Sequence, residues 1–355
     1  MKTSLLAIAV LLVPLLVGGD LAAANGAVQK PSPTAAGTPG APRNPGTYEV
    51  LDRYATLCNK TLLLAAALPS LPKSITDSLP TETTNAIARI ESELARNGIE
   101  VIEDGPHFVR LVPAEFRDSF TNLPLRGAEL AAKAASEKAA GEKLQPGMID
   151  FRNADVEQVL DVCSVMIGRT LVRSASLPGA NIRLRTLGAI SMEEAVYGLK
   201  TSLALNGIAI VNDGLKFALV VPLAGAARVK TEAPKPDTGA KLYAPEEIPR
   251  IGIGILLSPT PRTSQIPITE ELDQIRRPAG RLLEFYATLV DKTAEPSETL
   301  DGSRLRFRVT TPLTRAELIY AIQKTFSLNG LAIVSNDEKT VCLARMSEPS
   351  TGKER

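Results

Sequence analysis

His107 is the chain's single histidine, so any catalytic dyad or triad that needs an imidazole would have to be built on it alone. It stands at a hairpin turn predicted between two β-rich runs, where a histidine reads as a solvated turn residue. The same count excludes metal sites with two or more histidines. Cys58, Cys163 and Cys342 lie in apolar surroundings (LCNK, DVCSV, TVCLA) and are too scattered for a zinc site or a disulfide framework. They read as small buried hydrophobes, with a Cys58–Cys163 bridge left open. Gly252-Ile253-Gly254 starts a dinucleotide-binding pattern, but Leu257 stands where its third glycine belongs. Carboxylates adjoin at Glu193-Glu194 and Glu246-Glu247. The first pair opens a predicted long helix and suits its dipole. A hydrolase using paired carboxylates is the enzymatic alternative, and nothing else in the sequence points to it. The expectation is a protein that is not an enzyme, with no catalytic, cofactor-binding or metal-ligating residues and no cofactor.

Charge and aromatic content narrow the ligand class further. With 40 basic against 39 acidic side chains among 355 residues, no global field draws in nucleic acid or an anionic membrane. Aromatics make up 4% and Trp is absent, which leaves little for stacking bases or sugars. The N-terminus follows the export pattern: Lys2, an apolar run from Leu5 to Val17, then Ala22-Ala23-Ala24. Cleavage after Ala24 is expected. The run is short for a bilayer span, which takes ~20 apolar residues, so no transmembrane segment is expected once it is removed.

The elements that position these residues come in three copies. Asn97-Gly98, Asn206-Gly207 and Asn329-Gly330 each close an amphipathic run, and a threonine (Thr61, Thr170, Thr293) precedes each glycine by thirty-seven residues. Tyr54-Ala55-Thr56-Leu57 and Tyr286-Ala287-Thr288-Leu289 match, and Lys-Thr follows each at the same distance. Apolar columns such as Ile90/Leu199/Ile322 and Leu94/Leu203/Phe326 have the period of a helix. Gly98, Gly207 and Gly330 read as its C-terminal caps. Two β-rich runs divided by a turn follow each cap and read as a hairpin. Ahead of the long helix, Ile182 and Leu184, and Leu305, Phe307 and Val309, alternate with arginines as a half-buried strand. A shorter helix precedes each threonine, with Asp155 capping the middle one.

The expected fold is α+β: three small (β)αββαββ modules, each with two helices on a short, mainly antiparallel sheet, joined by flexible linkers. The expected boundaries are a signal peptide at 1–24, a disordered linker at 25–46 and a degenerate first module at 47–114. An Ala/Lys/Glu-rich linker at 115–146 leads to module 2 at 147–223. A Pro-rich linker at 224–278 leads to module 3 at 279–346 and a polar tail at 347–355. The apolar run Ile251–Leu257 inside the second linker is unassigned.

The middle copy carries a resemblance. It reads Phe151-x-x-Ala154-Asp155-Val156-x-x-Val159-Leu160, then Gly168-Arg169-Thr170-Leu171-Val172, Leu177-Pro178, Ile182-x-Leu184, Glu194-Ala195, and Leu205-Asn206-Gly207 through Val220-Val221-Pro222. This resembles the periplasmic N-terminal domains of secretins, the outer-membrane pores of type II secretion and type IV pilus machines. Copies one and three resemble them more weakly. The chain departs from that family in stopping at Arg355 without the pore-forming domain, so the pore function is not carried over. What the resemblance implies is docking onto protein partners of secretion or pilus machinery, self-association, and a periplasmic or outer-membrane-associated location. An extracellular scaffold or adhesion protein reusing the module is the alternative. KH-like nucleic-acid binding is set aside, because no copy carries the Gly-x-x-Gly loop. Arg183, Arg185, Arg304, Arg306 and Arg308 alternate with the apolar strand residues and so should project from the opposite face. They form the candidate partner face.

Overall fold

The computed structural model describes residues 45–346, apart from 67, 73, 78–79, 122, 137–142, 236–238, 249–277 and 296–304. The fold is α+β. Unit 1 comprises α1 (Pro45–Cys58), β1 (Thr61–Leu64), the short α2 (Ser74–Asp77), α3 (Thr83–Arg96), β2 (Ile99–Asp104) and β3 (Phe108–Pro113). Two helices, α4 (Arg117–Thr121) and α5 (Gly127–Ser136), lead to unit 2. That unit runs through β4 (Asp150–Asp155), α6 (Val156–Ile167), β5 (Thr170–Arg173), β6 (Asn181–Arg185), α7 (Met192–Leu205), β7 (Ile208–Asp213) and β8 (Phe217–Pro222). Unit 3 has β9 (Leu242–Tyr243), α8 (Pro278–Leu289), β10 (Thr293–Ala294), β11 (Leu313–Thr314), α9 (Arg315–Leu328), β12 (Leu331–Ser335) and β13 (Thr340–Arg345).

Local chemistry fixes the helix ends. Asp155 accepts the Glu157 N–H at 3.0 Å and starts α6. Ser191 with Glu194, and Thr314 with Glu317, close full capping boxes on α7 and α9, an arrangement that supplies ~1 kcal/mol per capped end. The long helices stop where Gly98, Gly207 and Gly330 take φ of 70°, 78° and 70°, a region open to glycine without Cβ strain.

Each unit builds a three-stranded sheet, in the orders β1-β3-β2, β5-β8-β7 and β10-β13-β12. The hairpin pair is antiparallel, and the strand that follows the first helix joins it in parallel. The pairing is mainly antiparallel, as expected, and each sheet takes in one parallel strand because that strand returns from across the helix instead of from a turn. In unit 2, β4 and β6 form a separate antiparallel ribbon with a bulge between Phe151 and Ala154. In unit 1 the short α2 stands where unit 2 has β6.

The joining segments carry structure of their own. Leu130 of α5 is buried, and Lys133 reaches Glu193 of α7 at 2.7 Å. In the Pro-rich segment, Tyr243 pairs with Leu313, and Ile248 lies in the third core. Unit 3 thus begins at about residue 242, earlier than the expected 279. Two residues of strand and one buried isoleucine between prolines are too little to register as a periodic signal.

Candidate interaction site

The sheets of units 1 and 2 are covered on both sides. Leu62, Leu64, Val109 and Leu111 face the unit's own helices, whereas Leu63, Phe108 and Val112 share a core with Leu199 and Leu203 of α7 in the next unit. Unit 2 repeats this. Leu171, Ala218 and Val220 face inward, and Val172, Phe217 and Leu219 meet Leu318 and Ile322 of α9. The expected picture of helices on one face only is corrected here. Strands buried on both faces lose the apolar–polar alternation and read as continuous runs, as TLLL at 61–64 and FALVV at 217–221 do.

Aligned residues build the two joints alike. At the first, the His107 ring Nδ1 lies 2.6 Å from Glu194 Oε1. At the second, Lys216 Nζ donates to Glu317 Oε2 at 2.8 Å. His107 is thus not a solvated turn residue but a hydrogen-bonding partner of a carboxylate that is 1% exposed. Tyr197 packs edge-on against Phe108 at 5.7 Å between centroids and donates to buried Asp104. Tyr320 packs against Phe217 at 5.4 Å and donates to buried Asp213. The segment leaving each sheet then returns a backbone N–H to that aspartate: Gly127 at 2.9 Å and Ala233 at 2.9 Å. Asn206 Nδ2 donates to Leu64 O at 3.0 Å, and Asn329 Nδ2 to Arg173 O at 3.1 Å.

Environment sets the ionisation of these groups. Burial pushes the Glu194 carboxyl up, but the Ser191 N–H, the His107 ring and the Ser191 hydroxyl outweigh it and leave the group below its ordinary value. Burial is also the main cause holding the Tyr197 hydroxyl protonated above its usual range, with the bond to Asp104 adding to it. All three cysteines are free thiols, and burial pushes Cys163 up to about 11.

The expected arginine face is largely engaged within the chain. Ile182 and Leu184 are buried as the alternation required, but the opposite side of the strand meets the first helix of the preceding unit rather than water. Arg183 pairs with Asp52 of α1 and lies over the Tyr48 ring at 4.4 Å. Arg306 reaches Glu157 at 3.0 Å and Arg308 reaches Asp161 at 2.7 Å, both on α6. Arg185 is 54% exposed and lies 4.0 Å from Asp150. Arg304, Ala24 and the run 251–257 lie outside the described residues. The clefts beside these pairs mix arginines with Asp52 at the first joint and with Glu157 at the second, so neither is a single-sign anion site.

Sequence reasoning passed over Asp104, Tyr197, Lys216, Asp213, Glu317 and Tyr320. The available signal was columnar: Glu194 and Tyr197 align with Glu317 and Tyr320, and Asp104 with Asp213. Among the described residues, no group of three or more His, Cys, Asp or Glu could hold a metal ion, and no helix is long and apolar enough to cross a membrane. Compared with known proteins, the chain matches no family model and no curated protein sequence.

Proposed function

We propose that the protein is an exported, non-enzymatic assembly factor of the cell envelope. On this reading it acts through protein–protein contacts in a complex of the type II secretion or type IV pilus kind, in the periplasm or at the outer membrane. The carrying observation is that one docking geometry, a long helix laid on a neighbouring sheet, is used twice along the chain. A chain made of successive docking surfaces suits a role in assembly. The export-type N-terminus and the resemblance of residues 151–222 to secretin N-terminal domains add the compartment and the class of partner. Arg185 and Arg308, the more exposed arginines of the described stripe, are the candidate contacts to an acidic partner.

The test is in-cell cross-linking followed by fractionation and mass spectrometry. The expected result is a mature N-terminus near Asn25, recovery from the envelope and cross-links to secretion or pilus subunits. Recovery from the cytoplasm with an intact Met1 would overturn the location. Cross-links confined to the chain itself would overturn the assembly role.

A further inference from the structure

Two helix-on-sheet joints leave two surfaces of the same kind at the ends of the described array: the outer side of α3 and the outer face of the β10-β13-β12 sheet. We propose that both ends are caps, built so that a second copy of this chain cannot extend the array through the contact that stacks its own units. The inference stands apart from the envelope reading, since it rests only on aligned positions within the chain.

On the helix side, the joints use a glutamate, a tyrosine and a small residue in succession: Glu194, Tyr197 and Gly198 in α7, then Glu317, Tyr320 and Ala321 in α9. In α3 these positions hold Asn85, Ala88 and Arg89. The carboxylate that pairs with the turn residue, His107 or Lys216, is gone, and so is the hydroxyl that reaches the buried aspartate. A guanidinium stands where the helix must come closest to the sheet. The need for a small residue there is direct, because a Cβ built on Gly198 lies 3.0 Å from Phe108 Cε1.

The sheet side is changed to match. Phe108 and Phe217 become Thr340, Arg110 and Leu219 become Cys342, Leu63 and Val172 become Glu295, and Asp104 and Asp213 become Asn336. Asn336 Nδ2 instead donates to Glu295 Oε2 at 2.5 Å, closing a polar pair on the outer face. Burial follows the chemistry. In β3 every residue is buried, whereas in β13 only Val341 and Leu343 are, on the side of the unit's own core. Stacked-repeat proteins end in units with a polar outer face for this reason: an uncovered apolar face would recruit another copy.

The test restores the contact one end at a time, in the full chain. One variant carries Asn85→Glu, Ala88→Tyr and Arg89→Gly. The other carries Glu295→Val, Asn336→Asp, Thr340→Phe and Cys342→Leu. By sedimentation, each variant alone should keep the mass of the wild-type chain, and their mixture should form one-to-one dimers. A mixture that stays unassociated while both variants keep the wild-type circular dichroism would overturn the proposal. Ser92→Cys, a change on the exposed side of α3, covers the case in which a restored variant misfolds. Under oxidation this chain should form no disulfide between its residue 92 and Cys342 of another copy. Formation of that disulfide would show that the wild-type ends do stack, and would overturn the caps.

Discussion

The first joint, between units 1 and 2, and the second, between units 2 and 3, share a geometry but differ in what fills it. At the first, Arg110 is buried beside Asp104, with Nε 2.8 Å from Oδ2, and also donates to the carbonyls of Leu123 and Pro124. At the second, Leu219 occupies the aligned position. Among the described residues, Asp213 is then satisfied by the Tyr320 hydroxyl and the Ala233 N–H. A buried aspartate therefore needs a hydroxyl and a backbone donor at both joints, and a cation at only one. The cation goes where the departing segment passes from α4 to α5, and it ties down the Leu123 and Pro124 carbonyls between the two helices. The segment after unit 2 continues as a 3-10 turn at Leu223–Arg228. The shared residues set the angle of stacking, and the variable ones set how the connecting chain is held.

The sharpest way to break this comparison is to make the first joint like the second. Arg110→Leu should destabilise units 1 and 2 by ~3 kcal/mol, the usual cost of removing one partner from a buried ion pair. Hydrogen exchange of β1 and β3 reads the change locally, where a global melt would mix the units. A loss below ~1 kcal/mol would mean that the Tyr197 and Gly127 donors suffice for Asp104, and that Arg110 serves only the Leu123 and Pro124 carbonyls.

The next largest effect concerns the helix crossing. Gly198→Leu drives a side chain into Phe108 and should cost ~1–3 kcal/mol as overpacking. Ala321→Gly, at the aligned place on α9, should cost less, ~1 kcal/mol of helix propensity. A Gly198→Leu loss below ~0.5 kcal/mol would show that α7 does not come as close to the sheet as the Phe108 contact implies.

Acid should weaken the first joint as well. Glu194 has its carboxyl lowered in the folded protein. Its contribution is therefore complete above the unfolded carboxylate value of ~4.3 and is lost as pH falls through the lower folded value. Glu194→Gln should remove ~1–2 kcal/mol at neutral pH, through the capping box and the His107 pair. It should also flatten the acid limb of a urea-midpoint profile. An acid limb as steep as in the wild type would place the proton uptake elsewhere.

How much of this was legible in the sequence depends on the range of the interaction. The long helices end at the Asn-Gly pairs, Asp155 caps α6 and the hairpins turn where β-rich runs meet, because each rests on neighbours within about four residues. The strand alternation around Ile182 and Leu184 was readable too, but not what lies opposite Arg183, since Asp52 is 131 residues away. His107 and Glu194 are 87 residues apart, and no local pattern joins a turn to the start of a helix in the next unit. The double-sided burial of FALVV was written in its unbroken apolar run. It was missed because a hairpin with one wet face is the commoner expectation.

The smallest predicted effect uses three copies of one residue. Asn97, Asn206 and Asn329 each donate to the carbonyl four residues back, at 2.7, 2.7 and 2.6 Å. Substitution by alanine removes that bond equally from all three helices. Asn206 and Asn329 also reach across a joint, to Leu64 O and Arg173 O, and Asn329 Oδ1 further accepts the Ala175 N–H at 2.6 Å. A net hydrogen bond is worth ~0.5–1.5 kcal/mol. Asn206→Ala should therefore exceed Asn97→Ala by ~1 kcal/mol, and Asn329→Ala should exceed Asn206→Ala by a similar step. The common helix-end term cancels in these differences, so they isolate what the joints contribute. Equal losses at all three positions would mean that the cross-joint bonds contribute nothing net. The joints would then be held by Phe108, Phe217 and their apolar neighbours, with the asparagines serving only their own helices.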